Sequence, residues 1–551
     1  MATSKTFIGL SLGNQNSVIA IINKEHQAEV IANEDGEHKT PTYIAFSGEE
    51  EYHGSQAKHQ IVRNAQNTIM GFRDLLGKQY SDDMAQLHEG YARIERGDSG
   101  EPVFVVTTEN DDGEQKSLRL TPHDVAVRYL VRLKTTAEEY LGRKIEGAVL
   151  AVPVGFDEAQ RKSVAATCAD AGLPLLQLVS EPVAAAVQYG LGQDASHDDA
   201  KDTVAVVVDV GSTGSDITVL AVNGGLFTVA ASKHTTEVSG NLTDDVLVKY
   251  FAAEFKKLHN IDVLSQGNSR SLRKLQQAVE VTKRTLSAAP AAPCAVESLA
   301  EGLDFNGTIT RTRFDILANK SYGPLLDTIT ETIEASGYTP AQIDQVLLCG
   351  GAARVRKLQT RVAGLFPETT EVRDDAGELD EVVASGCAAQ AALIAQGIVQ
   401  DSDAKELAAK VLAKSVGLQL SAEKLVPVLQ QNTPLPASRT IKVSLPAGQK
   451  RAYIAVSEGE PVPPKEDEDE DEDEDSSDEQ SQADNEDDEP PARYRPSKLL
   501  AEMILELDAV TAATRIEVKF FVDTDLKLTV TATEPDSGKS ITAEVPASGS
   551  A

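Results

Sequence analysis

The stretch VAVVVDVGSTGSDITVLAV, Val204 to Val222, decides how the rest of this 551-residue chain is read. A β-branched apolar run ends at Asp209, a Gly/Ser/Thr turn follows, and a second apolar run begins at Ile217. That pattern predicts two strands joined by a tight hairpin. Glycine lets the main chain approach a ligand closely and small side chains leave room beside it, so such a turn can offer backbone N–H groups and hydroxyls to phosphate oxygens. Standing alone, the stretch reads first as an ordinary buried hairpin. It has a counterpart, however. Thr6 to Asn23 contains FIGLSLGNQNSVIAIIN, again an apolar strand, then Gly13, a polar turn and a second apolar run from Val18. Two such hairpins, about two hundred residues apart, predict a duplicated α/β domain in which each half supplies one phosphate-facing turn.

Beyond the hairpins, apolar spacing switches between strand and helix. Short strands are expected at Ala28 to Ile31 and Tyr43 to Phe46, followed by helical spacing around Ser55 to Leu76. Pro122 to Leu141 sets Val125, Val127, Leu130, Val131 and Leu133 among charged residues, which predicts a helix packed on one face. Gly147 to Val154 reads as buried strand, Asp157 to Ala171 as helix, and Leu173 to Val179 as strand. Glu181 to Tyr189 starts another helix with Pro182 in its first turn. Asp244 to Leu258 and Arg270 to Leu286 read as amphipathic helices. The latter aligns Glu280, Lys283, Arg284 and Ser287 along one face, a row that by itself reads as a solvated, salt-bridged surface. Val346 to Gly351 ends a buried strand in a double glycine ahead of Arg354, and Asp380 to Ala395 is an alanine-rich helix.

From Val416 onward, short period-two runs separated by Pro, Gly and Asp predict an antiparallel β-sandwich of about eight strands. An acidic tract interrupts it after Glu460. Glu466 to Glu489 holds 17 carboxylates and no basic residue, so a loop without a core of its own is expected between two strands. The chain as a whole carries 86 acidic and 52 basic residues, a formal charge of -34 that disfavours nucleic acid binding over a broad surface. Cys168, Cys294, Cys349 and Cys387 lie far apart with no metal-ligand spacing, as expected of reduced, partly buried thiols. The N-terminus enters a strand pattern directly, without signal-peptide features, and no apolar run approaches membrane-spanning length. A soluble cytoplasmic protein with no membrane partner is expected.

Several motifs then fall into a recognisable order: LGNQNS (Leu12 to Ser17), AVPVGFDEAQRKSV from Ala151, SEPVAAAVQYGL (Ser180 to Leu191) and DVGSTGSD (Asp209 to Asp216). VEVTKRTLS (Val279 to Ser287), LLCGGAARVRKLQ (Leu347 to Gln359) and DEVVASGCAAQAA (Asp380 to Ala392) follow, with VLQQNTPLP (Val428 to Pro436) and Glu458 to Glu460 in the sandwich. Over nearly its whole length the chain resembles the DnaK-type, seventy-kilodalton heat-shock chaperones. The resemblance implies an α/β actin-like (duplicated RNase H-like) nucleotide-binding domain over residues 1–403 and a linker over 404–415. A lidless antiparallel β-sandwich over 416–551 would follow, truncated relative to the family and carrying the acidic insertion 465–492. It implies ATP as ligand, with magnesium as an optional companion. Gly13, Asn14, Gln15 and Asn16 of the first turn would face the phosphates, as would Asp209, Gly211, Ser212 and Thr213 of the second, with Arg73 near the γ-phosphate. Glu280, Lys283, Arg284 and Ser287 would hold the adenosine, and Gly351, Ala352, Arg354 and Asp380 would close the opposite side.

The departures from the family pattern are as informative. Ser11 stands where the family has an aspartate that helps to position hydrated magnesium, and Asn14 and Gln15 stand where threonines approach the phosphates. Arg73 replaces a lysine, and its broad fork cannot reproduce a lysine's point charge. Ser212, Thr213 and Gly214 replace two glycines and a threonine, so a hydroxyl has moved by one position or been lost. Glu181, Asp209 and Asp216 still match carboxylates that bind magnesium or orient water in active members. Hydrolysis needs metal, cation and water placed together, and losing one positioned group costs roughly a hundredfold in rate. ATP binding with little or no hydrolysis is therefore expected, with no residue assigned as catalytic or as a metal ligand.

KVLAKSVGLQL (Lys410 to Leu420) lacks the acids that flank the family's linker, and the sequence stops at Ala551, leaving no helical lid. Leu425 and Val426 fall near the family's first groove loop and read equally as sandwich core. Among family branches the chain most resembles the subunit type of the fungal ribosome-associated complex. That branch implies a stable heterodimer with a J-domain protein of the zuotin type, contact with the ribosome and nascent chains through the complex, and co-chaperone action on a second, catalytic heat-shock chaperone. A conventional ATP-hydrolysing, peptide-binding chaperone is the alternative, and a sugar kinase of the same fold leaves the sandwich unexplained.

Overall fold

The computed structural model describes residues 6–87, 90–109, 115–192, 203–223, 226–265, 269–395, 412, 414–421, 424–429, 437–445, 450–461, 494–507, 514–523, 526–535 and 537–545. The chain forms two compact units, Met1–Ala404 and Lys405–Ala551.

In the first unit, β1 (Phe7–Leu12) and β2 (Asn16–Ile22) form the first hairpin, with Leu12 opposite Ser17. With β3 (Ala28–Val30), β4 (Gly147–Val152) and β5 (Leu175–Ser180), they run in the order β5-β4-β1-β2-β3. The first three of these are parallel and the last three antiparallel. The second hairpin, β6 (Thr203–Val210) and β7 (Ser215–Asn223), belongs to a sheet with β8 (Leu226–Thr235), β9 (Gln345–Cys349) and β10 (Glu371–Arg373). Its order, β10-β9-β6-β7-β8, has the same alternation of parallel and antiparallel pairs. The duplication expected from the two turns is thus present strand for strand. Strands such as β4, buried at every position, read as unbroken apolar runs because both faces of a parallel sheet are covered.

Seven helices position the site: α1 (Gly54–Asn64), α2 (Pro122–Leu141), α3 (Glu158–Asp170), α4 (Glu181–Gln188), α5 (Gly240–His259), α6 (Ser269–Ala288) and α7 (Val382–Ala395). Capping boxes at Thr121/Asp124 and Asp157/Gln160 start α2 and α3, satisfying N–H groups that have no partner inside the helix. The alanine-rich α7 packs on the first sheet and on α4 by close backbone approach. A Cβ on Gly386 would stand 1.8 Å from the Ala184 carbonyl of α4, and one on Gly9 of β1 would stand 2.1 Å from the Ala388 nitrogen.

The helical spacing around Ser55 to Leu76 resolves differently from the expectation. Helix α1 stops at Asn64, and Thr68–Ile69 turns out to pair as a strand with Ala45 and Ile44. Beyond Asn64 only two 3-10 turns, Ala65–Asn67 and Arg73–Leu75, remain of the expected helix. The Asn64 side chain donates to the Phe46 carbonyl at 2.7 Å, and Gly71 has a φ of 66°, so the edge of a small sheet competes successfully with helix continuation.

The second unit contains eight described strands: β11 (Ser415–Gln419), β12 (Leu425–Leu429), β13 (Ala437–Leu445), β14 (Arg451–Pro461), β15 (Tyr494–Glu506), β16 (Thr514–Val522), β17 (Leu528–Thr533) and β18 (Ser540–Val545). They form a closed four-stranded set, β11-β12-β15-β14, and a four-stranded sheet, β13-β16-β17-β18. All the pairs are antiparallel, and Val456, Val518, Phe520 and Val530 lie in the core between them. Leu425 is buried while Val426 is exposed. The expected acidic insertion 465–492 lies outside the described residues, as do 404–411 and 413 of the expected linker. The strands flanking that insertion are direct neighbours, with Pro461 opposite Tyr494. All four cysteines are free and buried, and among the described residues no helix is long and apolar enough to cross a membrane.

Candidate functional site

Three glycine-containing turns converge on one cleft of the first unit. The first, between β1 and β2, is pinned by Gly13 N–H donating to the Asn16 carbonyl at 3.1 Å. A Cβ at Gly13 would lie 2.4 Å from that oxygen, so the turn requires glycine. The second, between β6 and β7, is closed by Gly211 N–H to the Gly214 carbonyl at 2.9 Å. The first residues of α5 lock onto it, Gly240 N–H donating to the Gly211 carbonyl (2.8 Å) and Asn241 N–H to the Ser212 carbonyl (2.9 Å). The third follows β9, where Gly350 has a φ of 84° and a Cβ would stand 2.3 Å from Asp209 Oδ1.

Every residue expected to face the nucleotide lines this cleft. Gly13, Asn14, Gln15, Asn16 and Arg73 come from the first half, and Asp209, Gly211, Ser212 and Thr213 from the second turn. Glu280, Lys283, Arg284 and Ser287 come from α6, and Gly351, Ala352, Arg354 and Asp380 from the far side. Helix α6 buries Leu275, Val279, Thr282 and Leu286 at steps of four, three and four, which turns the polar row toward the cleft. The row is also ion-paired. Lys283 contacts Asp244 at 2.7 Å and the Gly240 carbonyl at 2.9 Å, and Arg284 contacts Glu280 at 3.4 Å.

The floor of the cleft is strongly charged. Arg73 Nε donates to Asp74 Oδ1 at 2.8 Å, and its Nη1 to Glu181 Oε1 at 3.1 Å and to the Leu12 carbonyl at 3.2 Å. Glu181 and Asp209 lie nearby, each half-buried. Burial raises the Glu181 carboxyl above its ordinary value; Arg73 offsets this in part, and Asp209, Asp216 and Asp74 reinforce it. Burial also raises Asp209, and Asp216 adds to the shift. Asp216 carries His234, whose Nδ1 lies 2.9 Å from Oδ1, and this contact raises the imidazole above its ordinary value.

Partners of the expected residues form a second set that sequence spacing had not revealed. Lys58 of α1 reaches both oxygens of Glu280, at 2.7 and 2.9 Å, and so spans the cleft at its roof. Lys39 and Arg354 both contact Asp380, and His38 Nδ1 meets Glu381 at 3.0 Å. Asp74, Asp244 and His234 belong to this group too. Only the charge of Lys39 and Lys58 was visible in the sequence; their partners are more than two hundred residues away.

The turns offer N–H groups and the α6 face offers polar side chains, a donor set that fits a nucleoside polyphosphate. Among the described residues, no group of three or more His, Cys, Asp or Glu is arranged to hold a metal ion by itself. The class of protein that this fold and cleft define is an actin-like nucleotide-binding domain followed by a β-sandwich. The Hsp70 protein family model matches residues 7–468, and the chain belongs to the Hsp70 family. It is 38% identical to a heat shock protein 70 homolog of Schizosaccharomyces pombe, covering 97% of this chain and 94% of that one. It is 34% identical to the ribosome-associated complex subunit SSZ1 of Saccharomyces cerevisiae, covering 98% of this chain and all of that one. To a ribosome-associated molecular chaperone of Eremothecium gossypii it is 33% identical, covering 83% of this chain and 72% of the relative.

Proposed function

We propose that this chain is a noncatalytic Hsp70-type subunit that binds ATP with little or no hydrolysis. In this role it pairs stably with a J-domain protein of the zuotin type in a cytosolic ribosome-associated complex. Through that complex it meets the ribosome and nascent chains, and it acts as co-chaperone for a second, catalytic heat-shock chaperone. The likeness to a ribosome-associated complex subunit over 98% of the chain supports the assembly. Arg73 carries the catalytic half of the proposal. Its guanidinium is engaged by Asp74, Glu181 and the Leu12 carbonyl, and it stands where the family pattern has a mobile point charge.

In this reading Gly13 to Asn16 and Gly211 to Thr213 hold the polyphosphate, α6 holds the adenosine, and Gly351, Ala352, Arg354 and Asp380 close over it. Magnesium, if it accompanied the nucleotide, would supply countercharge to the phosphates, and Glu181, Asp209 and Asp216, which line the cleft, would be the carboxylates to face it. Their convergence is also what favours the second reading, a conventional ATP-hydrolysing chaperone. Single-turnover conversion of bound ATP decides between them: retention of unhydrolysed ATP for hours supports the proposal, and turnover at the rate of an ordinary family member refutes it. Recovery of a J-domain protein and ribosomes with the chain purified from its native cytosol is the matching test of the assembly.

A further inference from the structure

The two phosphate turns touch each other. Asn14, at the tip of the first turn, donates Nδ2 to Thr213 Oγ1 of the second at 3.2 Å. The same amide nitrogen contacts the Asp74 carboxylate, which Arg73 holds from behind at 2.8 Å. Asn14 is only 8% exposed, and its Oδ1 is buried without a partner among the described residues. A chain of contacts, Arg73 to Asp74 to Asn14 to Thr213, therefore runs from the floor of one half to the turn of the other.

We propose that Asn14 and Thr213 form a latch that fixes the gap between the two turns without any ligand, so that the cleft is already closed when nucleotide arrives. The hydroxyl of Thr213 accepts from Asn14, and its own proton remains free to point at a phosphate oxygen. A ligand moves a conformational equilibrium only by as much as it prefers one state over the other. If the halves are latched beforehand, nucleotide binding has little movement left to drive. Asn14 and Thr213 act here as positioning residues: their bond sets the spacing of the backbone N–H groups on either side. The proposal deepens the reading of the cleft as a nucleotide site and rests on it for the consequence to ATP, while the latch itself is measured without nucleotide.

The test uses the full chain with spin labels at Arg63→Cys on α1 and Val281→Cys on α6, both exposed positions, the native cysteines being buried. Pulsed electron resonance then reports the distance between the halves. The expected result is one distance, the same with and without ATP. Thr213→Val, read also in a Lys58→Ala background where the roof pair cannot hold the cleft shut, should add a longer distance in the nucleotide-free chain. It should also release ATP faster by about two- to tenfold, the range that one lost hydrogen bond of this kind allows. Asn14→Ala should do the same, and Thr213→Ser, which keeps the hydroxyl, should restore the parent distance. Unchanged distances in both Thr213→Val and Asn14→Ala would overturn the latch, as would a parent chain that opens when ATP is removed. If the variants open but no version binds ATP, the latch stands and the nucleotide reading falls.

Discussion

Removing the roof contact should release nucleotide faster. Lys58 donates to both oxygens of Glu280 at 2.7 and 2.9 Å, and the two side chains are 19% and 22% exposed. Charge-assisted hydrogen bonds of this kind contribute about 1.5–3 kcal/mol when one partner is lost. Arg284, 3.4 Å from the same carboxylate, and partial solvation take over some of that, leaving about 1–2 kcal/mol. If the pair must open for nucleotide to leave, Lys58→Ala should raise the dissociation rate about 5- to 30-fold. Lys58 is the cleaner perturbation because Glu280 is itself expected to contact the adenosine. The assay is stopped-flow displacement of a fluorescent ATP derivative by excess ATP. Release from the parent should quicken with ionic strength, while release from Lys58→Ala should respond less, since screening acts on the pair. Burial pushes the Glu280 carboxyl up, but Lys58, Arg284 and Lys283 outweigh it and hold it below its ordinary value. The contribution of the pair is therefore present above the unfolded carboxylate pKa and is lost only as pH falls through the lower folded value. Release should be flat across neutral pH. An unchanged dissociation rate in Lys58→Ala, or a parent rate that changes between pH 6 and 8 through this contact, would refute the gate.

Three other perturbations probe different parts of the molecule. Glu181 is raised by burial, so its folded form binds a proton more tightly than the unfolded chain does, and stability falls as pH rises from the ordinary carboxylate range toward the raised value. Glu181→Gln should stabilise the nucleotide-free protein by about 1–2 kcal/mol at pH 8 and not at pH 5, read as a rise in Tm at the higher pH only. Gly350→Ala places a methyl group 2.3 Å from Asp209 Oδ1 at a φ of 84°, and should cost about 3 kcal/mol or more together with loss of ATP binding, followed by thermal unfolding and calorimetric titration. Phe520→Ala removes a fully buried ring from the sandwich core and should cost about 3–5 kcal/mol in the unfolding of the second unit, followed by a fluorescent probe placed in that unit.

The elements most legible in the sequence were those with strong local signals. Pro122–Leu141 begins at its capping box and ends before Gly142, which has a φ of 62°, just where Thr121, Asp124 and that glycine mark it. The two glycine turns were likewise visible, because a turn with small residues between β-branched runs has few alternatives. The segment after Ser55 misled because helical spacing persisted beyond Asn64, whereas the edge of the strand Ile44–Ser47 was available to pair with Thr68–Ile69. Nothing within a few residues of Thr68 announces that partner.

The sequence by itself determined the duplicated hairpins, the amphipathic α6 with its polar row, the alternating strands of the sandwich and, through family resemblance, which residues face the cleft. Each of these is written in spacings of two to four residues, the range over which backbone geometry imposes its periods. Only the tertiary structure decided what those residues bind to. Asn14 meets Thr213 across 199 positions and Lys58 meets Glu280 across 222, so the polar row of α6 became a roof and the two turns became neighbours. A charge or an amide carries no local mark of its distant partner; that choice is made when the two sheets pack around α4 and α7 and bring their turns together.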